Sequence, residues 1–250
     1  MHLFVDRLTP PEITIQGEDF IHLVRVLRLQ QGHRLTVVAL EENTYASCLV
    51  VSIQKRDMRL RAQDIFPKPK RTLPEITLVQ AVVKKQKMDF ILQKATELGI
   101  SRIIPIYTRY TVPDSVNLAR WKVIVREASM QSRRWEVPTL EEPIELKDFL
   151  KNREQNTQLI CLTETAAQES LKVALTRFIE TPEKLLVAIG PEGGWADTER
   201  ALIGGTGARL VSFGQTILRS ETATIAVLGV LRWYFEGLQP PPRNDMIKPG

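Results

Sequence analysis

The sequence predicts an α/β protein in which a small β-rich domain precedes a larger domain with a mainly parallel sheet. Three observations lead to this fold class. Roughly the first 70 residues hold short β-branched runs and one helical stretch, a combination typical of a small barrel. A proline-rich segment follows at residues 67–74. From residue 76 onward, short apolar runs alternate with amphipathic stretches, which is the pattern of parallel strands covered by helices.

The first domain is predicted over residues 1–72. Apolar residues recur at helical spacing in 19–29, so a helix is expected there. Two β-branched runs, 35–40 and 48–53, predict strands. Three prolines fall within the eight residues 67–74 and disfavour both helix and strand. This segment is therefore the expected linker, with the domain boundary near residue 72.

The second domain is predicted over residues 73–240, and a flexible tail over 241–250. Five apolar runs predict buried strands, at 76–83, 103–107, 159–162, 185–189 and 209–213. Five stretches with apolar residues at helical spacing predict helices, at 88–98, 116–131, 168–179, 197–203 and 221–235. The alternation of the two sets predicts a parallel sheet with helical connections.

Composition and cysteine content restrict the class of protein. Hydrophobic residues make up 43% of the chain and charged residues 25%, which is typical of globular proteins and excludes a disordered or collagen-like chain. No apolar run reaches the roughly 18 residues of a membrane span, and the N-terminus lacks a signal-peptide pattern. Cys48 and Cys161 are expected to be buried free thiols of a cytoplasmic protein. No metal site is expected, because the His and Cys residues lack ligand spacing.

The net charge of +5 is unevenly distributed. Residues 1–140 contain 22 Lys and Arg against 14 Asp and Glu, whereas residues 141–199 contain 6 against 12. This asymmetry suggests a polyanionic partner, such as a nucleic acid, bound mainly by the first half of the chain. A solvated surface with uneven charge is the alternative.

Three loops follow predicted parallel strands at their carboxyl ends, where such sheets bind ligands. They are residues 163–165, 190–195 and 214–223. The glycines of 190–195 expose backbone amides and allow close approach to a ligand. Neither a GxGxxG motif nor a P-loop is present, so a neutral heterocycle is a better candidate ligand than a phosphate. The alternative is a glycine-rich turn without a ligand.

The third loop leads into a long predicted helix. Ser220 is expected to cap this helix, and Glu221 then lies in its first turn, where the helix dipole favours an anion. Arg219 can project from the loop as a fixed cation. Helix capping beside an ordinary surface arginine explains the same residues without catalysis.

Basic residues cluster at three places. Lys84, Lys85 and Lys87 follow the first predicted strand of the second domain, Arg133 and Arg134 end a helix, and Arg25 and Arg28 share the polar face of the N-terminal helix. Arginine and lysine at these places can contact phosphates, and the adjacent Trp135 can stack on a base. Solvated helix faces, helix-terminal cations and a partly buried tryptophan are the alternatives. His22 is expected to pack or form a hydrogen bond rather than to catalyse.

These motifs together resemble the RsmE family of 16S rRNA uridine-N3 methyltransferases, which belong to the SPOUT superfamily. The specific motifs are the late pair, residues 189–194 (IGPEGG) and 214–223 (GQTILRSETA). Residues 87–90 (KMDF), 93–99 (QKATELG) and 25–28 (RVLR) also agree with the family. The resemblance extends from about residue 2 to residue 237.

The resemblance implies a fold and a chemistry that periodicity does not reveal. The first domain would be a PUA-like β-barrel that docks RNA, and the second a SPOUT domain with a C-terminal trefoil knot. Members bind S-adenosylmethionine in the knot and act as homodimers, with the site near the subunit interface. The implied partner is 16S rRNA of the small ribosomal subunit.

The same resemblance assigns residues. The implied cofactor-binding residues are Leu162, Thr163, Glu164, Ile189, Gly190, Pro191, Glu192, Gly193, Gly194, Phe213, Gly214, Ile217, Leu218, Thr222 and Ala223. The implied RNA-binding residues are Arg25, Arg28, Lys84, Lys85, Lys87, Arg133 and Arg134. Arg219 would stabilise negative charge on the pyrimidine, and Glu221 would orient Arg219 or accept a proton.

The sequence departs from the family pattern at two places on the expected RNA face. Arg133 stands where many members have glycine, and Lys85-Gln86 stands where they often have Gly-Asp or Gly-Glu. These departures concern the contacts with rRNA and not the reaction. Two rival functions stay open beside the one that the resemblance implies. One is a SPOUT methyltransferase with another RNA target, and the other is a non-catalytic RNA-binding protein with this fold.

Overall fold

The structure, a computed structural model, describes residues 2–111, 116–154, 156–165, 167–178 and 180–237. The described chain forms two compact units. The first contains the chain up to Lys70 together with Arg126–Val137, and the second contains Arg71–Val125 and the described residues from Pro138 onward. The segment 126–137, which falls within the predicted second domain (73–240), belongs to the first unit by its contacts. The predicted tail, 241–250, lies outside the described residues.

The first unit is built on one five-stranded mixed sheet in the order β1-β3-β4-β5-β2. Its strands are β1 (His2–Val5), β2 (Glu12–Gln16), β3 (Arg34–Ala39), β4 (Thr44–Ile53) and β5 (Asp57–Pro67). β1 pairs with β3 in parallel, and the other pairs are antiparallel. Apolar residues alternate with polar ones along β2, where Ile13 and Ile15 are buried, because successive side chains point to opposite faces.

The helix predicted at 19–29 is wrong in its extent. An α-helix, α1, covers Gly17–Ile21 and continues as a π-helical turn over His22–Val26. Leu27 donates its amide to the carbonyl of His22, five residues earlier, at 3.1 Å. Arg28 then adopts a left-handed conformation (φ 52°), which no regular helix continues through.

The core of the first unit uses both faces of this sheet, because the adjacent residues Leu3 and Phe4, and likewise Val37 and Val38, are all buried. Phe4, Val37, Met58 and Leu60 are almost fully buried, and Met130 from the segment 126–137 joins them. Cys48 is a buried free thiol, and burial raises its pKa to about 11. Cys161 of the second unit is also free and buried, so the expectation that both cysteines are buried free thiols is confirmed.

The second unit is built on an eight-stranded sheet, and all its described pairs are parallel. Its strands are β6 (Glu75–Ala81), β7 (Arg102–Tyr107), β8 (Thr139–Leu140), β9 (Ile144–Glu145), β10 (Gln158–Leu162), β11 (Glu169–Ser170), β12 (Lys184–Ile189) and β13 (Arg209–Ser212). The order is β11-β13-β10-β12-β6-β7-β8, and β9 also pairs with β7. The five predicted strands and the predicted parallel α/β class are confirmed.

Helices connect and cover these strands. They are α2 (Lys85–Glu97), α3 (Leu118–Gln131), α4 (Leu146–Asn152), α5 (Leu171–Thr176), α6 (Asp197–Gly204) and α7 (Ser220–Gly237). α2 packs against α7. None of the described helices is long and apolar enough to cross a membrane.

The helix predicted at 168–179 begins later in the structure, where α5 starts at Leu171. Glu169 and Ser170 pair with β13 as the strand β11 instead. The Ser170 hydroxyl then accepts a hydrogen bond from the amide of Val173 at 3.3 Å and caps α5. Pairing with a neighbouring strand overrides the local helical pattern here.

Parallel pairing places the carboxyl ends of β6, β12, β10 and β13 at one edge of the sheet, side by side. The loops that follow β10, β12 and β13 are therefore neighbours in space, although they are distant in sequence. This edge carries the candidate site.

Candidate active site

A cavity of about 300 Å³ lies at this edge of the sheet, which is the size of a small-molecule site. Its walls are residues 162–165, 189–195 and 213–218, with Arg200, Ser220 and Ala223. All three loops singled out from the sequence therefore contribute to one cavity.

The structure brings together most of the residues that the resemblance assigned to the cofactor. Each of them lines the cavity except Thr222. Arg219 and Glu221, the expected catalytic residues, do not line it but flank Ser220, which does. The wall also includes five residues of the predicted loops to which no cofactor contact was assigned, Thr165, Trp195, Gln215, Thr216 and Ser220. Arg200 on α6 lies outside those loops and was missed by sequence reasoning.

Glycines let the backbone of two loops form the cavity wall. At Gly194 (φ +69°) and Gly214 (φ +152°), a Cβ atom would meet nothing within 4 Å, so open space lies beside both residues. At Gly193, a Cβ would lie 2.9 Å from Cβ of Tyr110. Glycine is therefore required at 193 by the close approach of Tyr110 and at 194 by the backbone conformation.

Trp195 fixes the end of the glycine-rich loop. Its side chain is buried, and its indole Nε1 donates to the carbonyl of Leu162 at 2.8 Å, which joins the loop after β12 to the end of β10. Glu199 on α6 supports the same region, because its carboxylate accepts the amide of Ala196 at 2.9 Å and the amide of Arg109 at 2.8 Å. These bonds hold the loop after β7 beside the cavity wall.

A buried polar network ties the start of α7 to the sheet. Gln80, fully buried on β6, donates to the Ser220 hydroxyl at 3.1 Å and accepts a hydrogen bond from Thr224 at 2.7 Å. Ser220 in turn donates to the carbonyl of Gly190 at 2.7 Å. The network therefore connects β6, α7 and the glycine-rich loop, and it sets the position from which Arg219 projects.

The two expected catalytic residues have different surroundings. Arg219 is exposed, and its guanidinium has no ion-pair partner in the described ranges. Glu221 is largely buried, and its Oε2 lies 3.7 Å from Nζ of Lys87. Lys87 also lies 3.1 Å from Oε1 of Glu192 in the glycine-rich loop.

The pKa of Glu192 lies below its usual range. Burial acts in the opposite direction and raises this pKa, but a hydrogen bond from its own backbone amide and the nearby charge of Lys87 outweigh burial. The Glu192 side chain is therefore an anion at neutral pH, at the edge of the cavity.

The residues expected to bind RNA divide between the two units. Lys84 and Lys85 are exposed at the start of α2. The remaining set belongs to the first unit: Arg25, Arg28 and Arg133 are exposed, and Arg134 is half-buried. The charge of Lys87 is paired with the carboxylates of Glu192 and Glu221.

Trp135 packs in the first unit, and His22 lies near a carboxylate there. The Trp135 ring lies 4.3 Å from the ring of His2 and 4.6 Å from that of Tyr45, measured between centroids, and joins the hydrophobic core. His22 lies with its Nδ1 3.9 Å from Oε1 of Glu127. The packing alternative is therefore the better description of Trp135.

Comparisons with known proteins agree on one kind of enzyme. A family model described as an RNA methyltransferase domain matches residues 69–232. The Ribosomal RNA small subunit methyltransferase E of Rickettsia conorii is 29% identical over 223 residues, which are 88% of this chain and 89% of that protein. The Bacillus subtilis protein of the same name is 26% identical over 239 residues, 92% and 93% of the two chains.

Solved structures are similar over nearly the whole chain. A methyltransferase of Legionella pneumophila in complex with the cofactor SAM superposes with a TM-score of 0.81 at 26% identity, over 93% of this chain and 96% of that one. The Ribosomal RNA small subunit methyltransferase E of Neisseria gonorrhoeae, bound to S-adenosylmethionine, has a TM-score of 0.80 at 25% identity, with the same coverage.

Proposed function

The chain belongs to the family of RNA methyltransferase domains, and from that premise we propose that it transfers a methyl group from S-adenosylmethionine to N3 of a uridine in 16S rRNA. The resemblance to the RsmE family is confirmed, because relatives that match most of the chain are small subunit rRNA methyltransferase E proteins. The observation that carries the proposal is the cavity between the loops after β10, β12 and β13.

The residues of the cavity fit S-adenosylmethionine. Backbone exposed at Gly194 and Gly214 can approach a flat heterocycle such as adenine closely. The carboxylates of Glu164 and Glu192 belong to the wall and favour a positively charged ligand over a phosphate. When bound, this cofactor supplies a methyl group that its sulfonium has already activated.

The protein's own residues then act on the uridine. N3 carries a proton that must leave before or during attack on the methyl carbon. Arg219 is an exposed, unpaired cation within the described residues, and it is suited to stabilise the negative charge that develops on the pyrimidine ring. Glu221 is the candidate to orient Arg219 or to accept the proton. Alignment of N3 with the methyl group supplies much of the remaining acceleration.

Binding of rRNA is assigned to the exposed basic residues. The exposed residues that can approach phosphates are Lys84, Lys85, Arg25, Arg28 and Arg133, and Arg134 follows Arg133 in sequence. Each neutralised phosphate releases counterions, so affinity for rRNA is expected to fall steeply as salt is raised. The mixed five-stranded sheet of the first unit is consistent with a PUA-like docking barrel.

Three further properties belong to the proposal. The C-terminal segment that contains 190–195 and 214–223 forms a trefoil knot of the SPOUT type around the cofactor. The enzyme acts as a homodimer with the site near the subunit interface, and Trp233, 72% exposed on α7, is a side chain that a second copy would cover. The protein works in the cytoplasm, on the small ribosomal subunit.

Calorimetry with S-adenosylmethionine tests the class of protein first. Binding in the micromolar range is expected. If no binding is detected, the chain is better described as a non-catalytic RNA-binding protein. Mass spectrometry of 16S rRNA from a deletion strain then tests the substrate. Loss of N3-methyluridine, restored by the wild-type chain, is expected. Persistence of the modification in that strain would mean that the enzyme has another RNA target.

A further inference from the structure

Lys87 differs from the other lysines at the start of α2. Lys84 and Lys85 are exposed, whereas the Lys87 side chain is only 30% exposed and lies between two carboxylates. Its Nζ is 3.1 Å from Oε1 of Glu192 and 3.7 Å from Oε2 of Glu221. The Lys87 ammonium is therefore already paired with two carboxylates, which makes it a poor contact for a phosphate.

The two carboxylates belong to different parts of the site. Glu192 lies in the glycine-rich loop that lines the cavity, and Glu221 lies in the first turn of α7, two residues after Arg219. The Lys87 ammonium therefore joins the loop to the helix that carries the expected catalytic arginine. A third element, α2, contributes the joining residue.

Glu221 depends on this contact. Its side chain is only 16% exposed, and its Oε2 is buried without a hydrogen-bond partner in the described part of the chain. A buried carboxylate oxygen without compensation is costly. The ammonium of Lys87 compensates it, together with the positive end of the α7 dipole.

We propose that Lys87 is a positioning residue for methyl transfer and not a phosphate contact, and this inference rests on the function proposed above. By holding Glu192 and Glu221 together, Lys87 fixes the start of α7, and with it Arg219, against the cofactor loop. The site then keeps a constant distance between the group that stabilises charge and the loop that holds the cofactor. Small losses of such alignment are expensive in rate.

The test compares Lys87→Gln and Lys87→Arg with a matched control, Lys94→Gln. Lys94 is on the same helix, is 32% exposed and pairs with Glu97 at 2.8 Å. Its partner Glu97 belongs to α2, whereas Lys87 pairs with Glu192 of the cofactor loop. At saturating RNA and S-adenosylmethionine, kcat of K87Q should fall by about 10- to 100-fold. KM for RNA and the salt dependence of RNA binding should not change. K87R should recover most of the rate, and K94Q should match the wild type.

The double variant K87Q with Glu221→Gln tests whether Lys87 acts through Glu221. Because residues that act as a unit are not additive, kcat of the double variant should be close to that of the slower single variant. Multiplication of the two single effects would overturn the proposed link. A wild-type kcat in K87Q, or a loss confined to KM for RNA with a weaker salt dependence, would overturn the positioning role.

A readout without catalysis separates this inference from the proposed function. Amide hydrogen exchange in residues 219–224 should be faster in K87Q than in the wild type and in K94Q, because the start of α7 loses its anchor. If the wild type failed to methylate 16S rRNA, the proposed function would be wrong. Unchanged exchange in K87Q would refute the anchoring role by itself.

Discussion

The buried amide of Gln80 gives the sharpest quantitative prediction, for the substitution Gln80→Leu. Gln80 is fully buried and lies at the centre of the polar network beneath the cavity. Its Nε2 donates to the Ser220 hydroxyl at 3.1 Å and to the carbonyl of Ala81 at 2.9 Å. Its Oε1 accepts from Thr224 at 2.7 Å. Leucine has a similar volume but can make none of these bonds.

The expected loss follows from what each partner retains. Thr224 keeps an alternative acceptor in the carbonyl of Ser220 at 2.9 Å, and Ser220 still donates to Gly190 at 2.7 Å. Ser220 and Ala81 each lose a donor, and a buried group left unsatisfied costs about 1–3 kcal/mol. Leucine recovers part of that loss through apolar burial. The net decrease in the free energy of unfolding should be about 2 kcal/mol.

Urea denaturation measures this decrease, with Gln86→Leu as the control. Gln86 is exposed on α2, so the same chemical change there should alter stability by less than about 0.5 kcal/mol. S-adenosylmethionine binding should also weaken in Q80L. Without the hydrogen bond from Gln80, Ser220 is held less firmly, and so is Gly190, which accepts a hydrogen bond from Ser220 in the cavity wall. A Q80L protein as stable as Q86L would refute the assignment of this network as the support of the site.

Three further predictions concern single residues. Arg219→Ala should lower the single-turnover rate by about 10²–10³-fold while S-adenosylmethionine affinity stays within a few-fold, and an unchanged rate would remove Arg219 from the mechanism. Gly193→Ala places a Cβ 2.9 Å from Tyr110 and should weaken S-adenosylmethionine binding by about 10-fold or more as the loop shifts, whereas unchanged calorimetry would contradict the close approach. Burial lowers the pKa of His2 below its ordinary 6.5, although the hydrogen bond to the Arg134 carbonyl opposes the shift. The folded state therefore disfavours the protonated ring, and its contribution to stability is present above pH 6.5 and lost as the pH falls below that value. Between pH 7 and pH 5, His2→Asn should lose less unfolding free energy than the wild type, and equal losses would contradict this assignment.

The main strands of the second unit could be predicted because each is a short apolar run buried on both faces. β12 (Lys184–Ile189) is an example, with five of its six residues buried. The short elements had no such signal. α4 (Leu146–Asn152) has only two turns, and β8 and β9 have two residues each, too few for a periodicity to emerge.

The first helix of the chain shows that apolar spacing can predict a helix and still misplace its end. The apolar spacing over 19–29 is real, since Phe20 and Leu23 are buried. The backbone nonetheless leaves the α-helix at His22 and reaches a left-handed conformation at Arg28. No residue in this segment is a proline or glycine that would announce the change.

The candidate site could be located from the sequence, since the rule for parallel sheets places ligands at the carboxyl ends of strands. The residues that hold the site in place could not be predicted from the sequence. A lone glutamine in the apolar strand ITLVQA was the available signal for Gln80, but its partners Ser220 and Thr224 lie 140 and 144 residues away. The sequence groups Lys87 with Lys84 and Lys85 because neighbouring residues share a charge. The carboxylates that distinguish it come from the glycine-rich loop and from the first turn of α7.

The amino-acid sequence by itself determined the α/β class, the three loops of the cavity and, through its motifs, the family. Those properties depend on residues that are close in sequence. Apolar runs form buried strands, glycines leave the loop backbone accessible to a ligand, and each family motif is a contiguous stretch of residues. The tertiary structure decided which charges meet. Parallel pairing brings β6, β12, β10 and β13 together in an order unrelated to that of the chain. Only this order puts Lys87 between Glu192 and Glu221, and Gln80 beneath Ser220.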